Sequence, residues 1–136
     1  MCGICGIINF CNKTVEIKQI HAMMKAIKYR GPDDEGSFVS NNIGLGHVRL
    51  SIIDLSEQGR QPFFSNDKRY IIVFNGEIYN YIELKEDLIQ NGMIFRTKTD
   101  TEVLLNAYIF YGELFLEKLN GMFAFAIYDK INKTVF

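Results

Sequence analysis

Residues Tyr70 to Phe74 (YIIVF) form a near-continuous apolar run that breaks off at once into Asn75-Gly76-Glu77. A run without polar alternation reads as a buried central strand of a sheet. Met122 to Tyr128 (MFAFAIY) reads the same way. Asp129 to Lys133 then reads as a hairpin turn, and Thr134-Val135-Phe136 opens a strand that the chain does not finish. The expectation is the front part of a longer protein, because an unpaired edge is left open there.

The remaining elements fall around these two runs. Ile4 to Phe10 reads as a short, mostly buried strand. Glu16 to Tyr29 switches to helical spacing, with Ile17, Ile20, Met24 and Ile27 on one face. Arg30-Gly31-Pro32-Asp33-Asp34-Glu35-Gly36 ends that helix. Ser37 to Ser40 and Ile43 to Ile53 read as strands joined by a tight turn at Asn41-Asn42, and residues 56–69 as loop. Tyr81 to Asn91 is a second helix, capped at its C-terminus by Gly92. A third runs from Thr99 or Asp100 to Tyr111, with Thr99 and Glu102 spaced as a capping box. Glu113 to Leu119 fits a short fourth helix. Strands sit in hairpin-like pairs rather than in strict βαβ alternation, which favours an α+β fold with mainly antiparallel sheets.

Function classes can be narrowed. A net charge of −1 without a run of like charges gives no surface for nucleic acid or membrane. No apolar stretch approaches the roughly 20 residues that span a bilayer, and the N-terminus lacks a signal-peptide pattern. A cytoplasmic protein is expected, with its three cysteines reduced. Cys2 and Cys5 make C-x-x-C, but His21 and His47 have no ligand spacing to complete a zinc site. Positions 2 and 5 of an extended segment also point to opposite faces. No metal is expected, and Cys5 and Cys11 read as plain core residues.

Cys2 is different by position. Once Met1 is removed, its thiol and a free α-amine sit on one residue, and that amine can take the thiol's proton near neutral pH. The alternative is an ordinary strand thiol. Asn75 and Gly76 offer a side-chain amide and a backbone N–H to one oxyanion. The alternative there is an N-G turn, although Glu77 to Asn80 leads into a helix rather than a second hairpin strand. Arg49 lies in a strand of apolar or small residues, where its fork of donors suits a carboxylate unless it faces outward. Asp100 could simply cap its helix. His47 reads as a core or supporting histidine rather than a catalytic one.

Taken in order, the motifs resemble a known family. They are Cys2-Gly3-Ile4 with Gly6, Arg30-Gly31-Pro32-Asp33 with Gly36, and Gly46-His47-x-Arg49-Leu50-Ser51-Ile52-Ile53-Asp54. Gln61-Pro62, Phe74-Asn75-Gly76-Glu77-Ile78-Tyr79-Asn80, Thr99-Asp100-Thr101-Glu102 and Leu119-x-Gly121-Met122-Phe123-Ala124-Phe125-Ala126 follow. Together they resemble the N-terminal glutaminase domain of glutamine-hydrolysing asparagine synthetases, a class II glutamine amidotransferase. The resemblance implies a four-layer αββα N-terminal-nucleophile hydrolase fold over residues 2–136, incomplete at its C-terminus.

It also implies roles. Cys2 is the nucleophile and its α-amine the base. Asn75 and Gly76 form the oxyanion hole. Arg49 holds the glutamine α-carboxylate, Glu77 and Asp100 its α-ammonium, and main-chain groups of Leu50, Ile52 and Ile53 line the pocket. L-Glutamine is the substrate, and no cofactor serves its hydrolysis. A covalently linked C-terminal synthetase domain would use ATP and Mg to make asparagine with the ammonia. A homodimer fits this reading too. Two features depart from the family pattern. Tyr29 stands where His is commoner, and no pyrophosphatase-type Ser-Gly-Gly-x-Asp-Ser loop occurs. The rival functions are an amidotransferase half serving another acceptor, such as a surface polysaccharide or peptide, and a catalytically silent binding domain.

Overall fold

The computed structural model describes residues 2–11, 13–50 and 59–136. Its strands are β1 (Gly3–Ile8), β2 (Asp34–Ser40), β3 (Ile43–Arg49), β4 (Phe63–Phe64), β5 (Tyr70–Ile78), β6 (Gly121–Asp129) and β7 (Thr134–Val135). The α-helices are α1 (Ile17–Ala26), α2 (Tyr81–Gln90) and α3 (Asp100–Tyr111), with 3₁₀ turns at Lys28–Arg30 and Gly112–Lys118. Two antiparallel sheets result, ordered β1-β3-β2 and β4-β5-β6-β7.

Three apolar clusters define four layers. Val15, Ile20 and Met24 pack with Val48 where α1 covers the first sheet. Ile43, Leu45, Ile71, Val73 and Tyr128 fill the space between the sheets. Ile72, Phe74, Leu88, Leu104 and Phe115 lie where α2 and α3 cover the second sheet. This is the expected αββα arrangement. It explains YIIVF directly: Ile71 faces the other sheet and Ile72 the helices, and both are fully buried. Each such side chain contributes roughly 1.5–3 kcal/mol. α1 sits close to β3 because a Cβ on Gly44 or Gly46 would lie within 2.9 Å of Ile20 side-chain atoms.

The expected tight turn is present, with Asn41 in the left-handed region at φ 48°. Gly92 follows α2 at φ 86°, as read from the sequence. Several expectations need correction. β5 does not end at Phe74 but runs to Ile78, paired with β6 throughout. β2 begins at Asp34, because Pro32 and Asp33 already lie alongside Arg49. The polar stretch before β5 contains β4, since Phe63 and Phe64 pair with Ile72 and Ile71. Cys11 is exposed, lying beyond the end of β1. Only half of the capping box forms at α3. Thr99 Oγ1 accepts from Glu102 N–H, but the Glu102 carboxylate turns to the N–H groups of Arg96 and Thr97.

Candidate active site

β1 is antiparallel to β3 with Gly3 opposite Val48, so one further step sets Cys2 opposite Arg49. The thiol lies on the next peptide: Leu50 N–H donates to Cys2 Sγ at 3.4 Å, and the Leu50 carbonyl accepts from the thiol at 3.6 Å. Arg30 Nε–H donates to the Cys2 carbonyl at 3.0 Å. Arg30 thus fixes the residue's main chain while Leu50 meets its sulfur. The segment carrying Arg30 is itself fastened to β3. Asp33 N–H donates to the Arg49 carbonyl at 3.0 Å, and a Cβ on Gly31 would lie 2.4 Å from the Val48 carbonyl carbon. Nothing local in Arg-Gly-Pro-Asp beyond its turn chemistry marks this contact, and the sequence reading missed it.

Arg49 is buried, 8 % exposed. A Cβ on Gly59 would sit 2.6 Å from Arg49 Nη2, so glycine there lets the chain close over the guanidinium. By strand alternation Arg49 shares a face with Ile43, Leu45 and His47, toward the second sheet. Asn75 and Glu77 share a face with Ile71 and Val73, toward the first sheet. A cation on β3 and an amide and a carboxylate on β5 therefore face the same gap.

Asn75-Gly76-Glu77 lies inside β5, opposite Ala124, Phe123 and Met122. A side chain at position 76 has no room: its Cβ would lie 2.2 Å from the Met122 carbonyl oxygen. The direction of the Gly76 N–H follows from its neighbours. Phe74 N–H donates to Gln61 Oε1 and Ile78 N–H to Asp100 Oδ2, both away from β6, and alternation sends the Gly76 N–H to that same edge. Among the described residues, the buried Asn75 carboxamide oxygen has no hydrogen-bond partner.

Asp100 opens α3 and is 6 % exposed. Burial pushes its carboxyl up, and the Glu77 charge adds in the same direction. Two acidic groups in each other's field form a ready site for a cation. His47 Nε2 lies 3.1 Å from the Phe74 carbonyl. A carbonyl only accepts, so Nε2 carries the proton. Desolvation lowers this imidazole to about 4, so it is neutral at pH 7 and supports the peptide preceding Asn75. Cys5 packs beside the α1 cluster, and burial raises its thiol. Ile52 and Ile53, expected to line the pocket, lie outside the described residues, whereas Leu50 is placed against Cys2.

The arrangement can bind a zwitterion, with Arg49 for a carboxylate and Glu77 and Asp100 for an ammonium group, and it offers a thiol and oxyanion donors beside them.

Comparisons with known proteins agree in kind. The family described as "Glutamine amidotransferase domain" matches residues 1–136. Asparagine synthetase [glutamine-hydrolyzing] 1 of Bacillus subtilis is 47% identical over 133 residues, covering 96% of this chain and 21% of its own length. Asparagine synthetase B of Escherichia coli is 39% identical over 130 residues, covering 95% of this chain and 23% of its own. The chain spans between 18% and 29% of the curated relatives it matches. Among solved structures, glutamine phosphoribosylpyrophosphate amidotransferase from B. subtilis shares the fold. Its TM-score is 0.75 at 24% identity, over 93% of this chain and 35% of that one.

Proposed function

We infer the function from one premise: this chain belongs to the glutamine amidotransferase domain family. It hydrolyses L-glutamine to glutamate and ammonia through a thioester on Cys2. The α-amine of Cys2 takes the thiol proton, directly or through water, and the sulfur attacks the carboxamide carbon. Asn75 and the Gly76 N–H take the oxyanion that forms. The protonated amine returns its proton to the leaving ammonia, and water then cleaves the thioester. Arg49 binds the α-carboxylate, and Glu77 with Asp100 the α-ammonium group. No cofactor enters these steps.

In the longer protein the ammonia feeds ATP- and Mg-dependent synthesis of asparagine from aspartate by a linked synthetase domain, in the cytoplasm. The relatives named above favour that acceptor over a polysaccharide or peptide, and over a silent domain.

The observation that carries this reading is the placement of the Cys2 sulfur against the Leu50 peptide, beside Arg49. Intact-mass analysis tests it. Loss of Met1 and one stoichiometric adduct from a glutamine-mimicking electrophile are expected, and Cys2→Ala abolishes both the adduct and glutamate release. Retention of Met1 in the active protein would remove the proposed base and sink the mechanism.

A further inference from the structure

Gln61 is 6 % exposed and takes no part in the steps above. The two ends of its amide bond to different elements. Oε1 accepts from Phe74 N–H at 2.6 Å, and Nε2 donates to Thr101 Oγ1 at 3.3 Å. Phe74 immediately precedes Asn75, and Thr101 immediately follows Asp100.

The sheet explains why a side chain is needed there. β4 pairs Phe63 with Ile72, and the same register carried on would bring Gln61 opposite Phe74. β4 stops at two residues, Phe63 and Phe64, so the Phe74 N–H lies beyond its ladder. The Gln61 amide then supplies the acceptor that a neighbouring strand would have given. Four residues further along the same edge, the Asp100 carboxylate accepts from Ile78 N–H at 3.2 Å. The Gly76 N–H lies between these two points. Gln61 is anchored from its other side as well, since its carbonyl oxygen would be 2.1 Å from a Cβ on Gly36.

We propose that Gln61 is a positioning residue of the glutamine site, setting the spacing between the oxyanion donors Asn75 and Gly76 and the carboxylate of Asp100. The inference rests on the glutaminase reading above. Glutamine has a fixed number of bonds between its carboxamide and its α-ammonium group. The groups meeting those two ends stand on β5 and α3, and the Gln61 bridge ties the two elements at that point. Loss of the bridge leaves each end able to bind but out of register with the other.

The test uses the intact protein, with sites counted by titration with a glutamine-mimicking electrophile. Gln61→Met keeps side-chain length and removes both bonds. Its kcat for glutamate release per titrated site is expected to fall about 10- to 100-fold. KM for glutamine should stay within about threefold, because the head-group contacts remain. Thr101→Val, close in shape, removes one arm of the bridge and should lower the same kcat about 3- to 10-fold. The double variant should be no worse than Gln61→Met, since that change already removes the bond to Thr101. A brace that only stabilises the fold would lower the number of titratable sites and leave kcat per site unchanged, and that result overturns the proposal. So do losses that multiply in the double variant. If Gln61→Met does not fold, Thr101→Val decides alone, and wild-type kcat per site in it overturns the proposal. A wild-type protein that titrates but releases no glutamate from glutamine overturns the glutaminase reading itself.

Discussion

Arg30 places its Nε–H on the carbonyl of Cys2 at 3.0 Å, across 28 residues of chain. Cys2 precedes the first strand and has no ladder partner of its own, so this bond and the Leu50 peptide are what fix it among the described residues.

Arg30→Met should therefore release the nucleophile without unfolding the sheet. A charge-assisted hydrogen bond is worth about 1.5–3 kcal/mol, which sets the expected loss in kcat/KM for glutamine at about 10- to 100-fold. Lys should recover little, because the contact uses the Nε of a planar fork rather than its tip. Steady-state glutamate release checks this. Full activity in the Met variant would show that Leu50 alone suffices.

Asp100 sets stability against binding. Its carboxyl is raised by burial, so the folded chain holds that proton more tightly than the unfolded chain does. The ionised group is a burden to the folded state that grows as the pH rises above its unfolded value. Asp100→Asn removes the charge, and its amide oxygen still accepts from Ile78 N–H. The variant should gain stability, read as a rise in Tm. KM for glutamine should rise about tenfold or more through loss of an ammonium partner. Calorimetry and kinetics on the same preparation test both halves. A loss of stability would mean that the backbone hydrogen bonds the carboxylate accepts from Ile78, Thr101 and its own N–H outweigh the cost of burying the charge.

His47 makes the fold sensitive to mild acid. Its imidazole titrates at about 4 in the folded chain against 6.5 ordinarily, because burial disfavours the cation. Between these values the unfolded chain binds a proton that the folded chain refuses. Stability is then full above about pH 6.5 and falls as the pH drops toward 4, by roughly 3 kcal/mol in all. The Asp129 carboxylate, held at about 2 chiefly by its hydrogen bonds to Arg69, acts in a separate and lower window. Urea midpoints between pH 4 and 7 should show the slope, and His47→Gln should flatten it. An unchanged slope in that variant would assign the effect elsewhere.

The fold was largely legible because burial on two faces leaves a plain trace. YIIVF pairs with MFAFAIY as expected, but only the Ile127-Tyr128 end of the second run is buried, whereas Met122 and Phe123 are exposed although they read as core. Asn75-Gly76-Glu77 carried the opposite signal. Its polarity suggested the end of a strand, yet the ladder continues to Ile78 because this part of β5 borders the site rather than the core. Cys2, Arg49 and Asp100 could be picked out as chemically unusual for their positions. Arg30 and Gln61 could not, since they act through hydrogen bonds to residues 13 to 40 positions away, whereas His47 reads from the sequence as the supporting residue it is. Such partners exist only once the sheets have formed. Cys11 was misplaced for a related reason: β1 stops at Ile8, where its partner β3 begins.

Asn75 separates catalysis from stability most cleanly. Among the described residues its buried carboxamide oxygen has no partner, so truncation removes no hydrogen bond to them through that atom. Asn75→Ala should leave stability within about 0.5–1 kcal/mol of wild type. In the proposed reaction the same amide meets the oxyanion, and loss of one such donor is expected to lower kcat about 10²- to 10³-fold. The gap between the two effects is the diagnostic. Thermal melts and single-turnover thioester formation measure them independently. A fall in kcat under tenfold would leave the Gly76 N–H as the principal donor, and a matching fall in Tm would make Asn75 a structural residue.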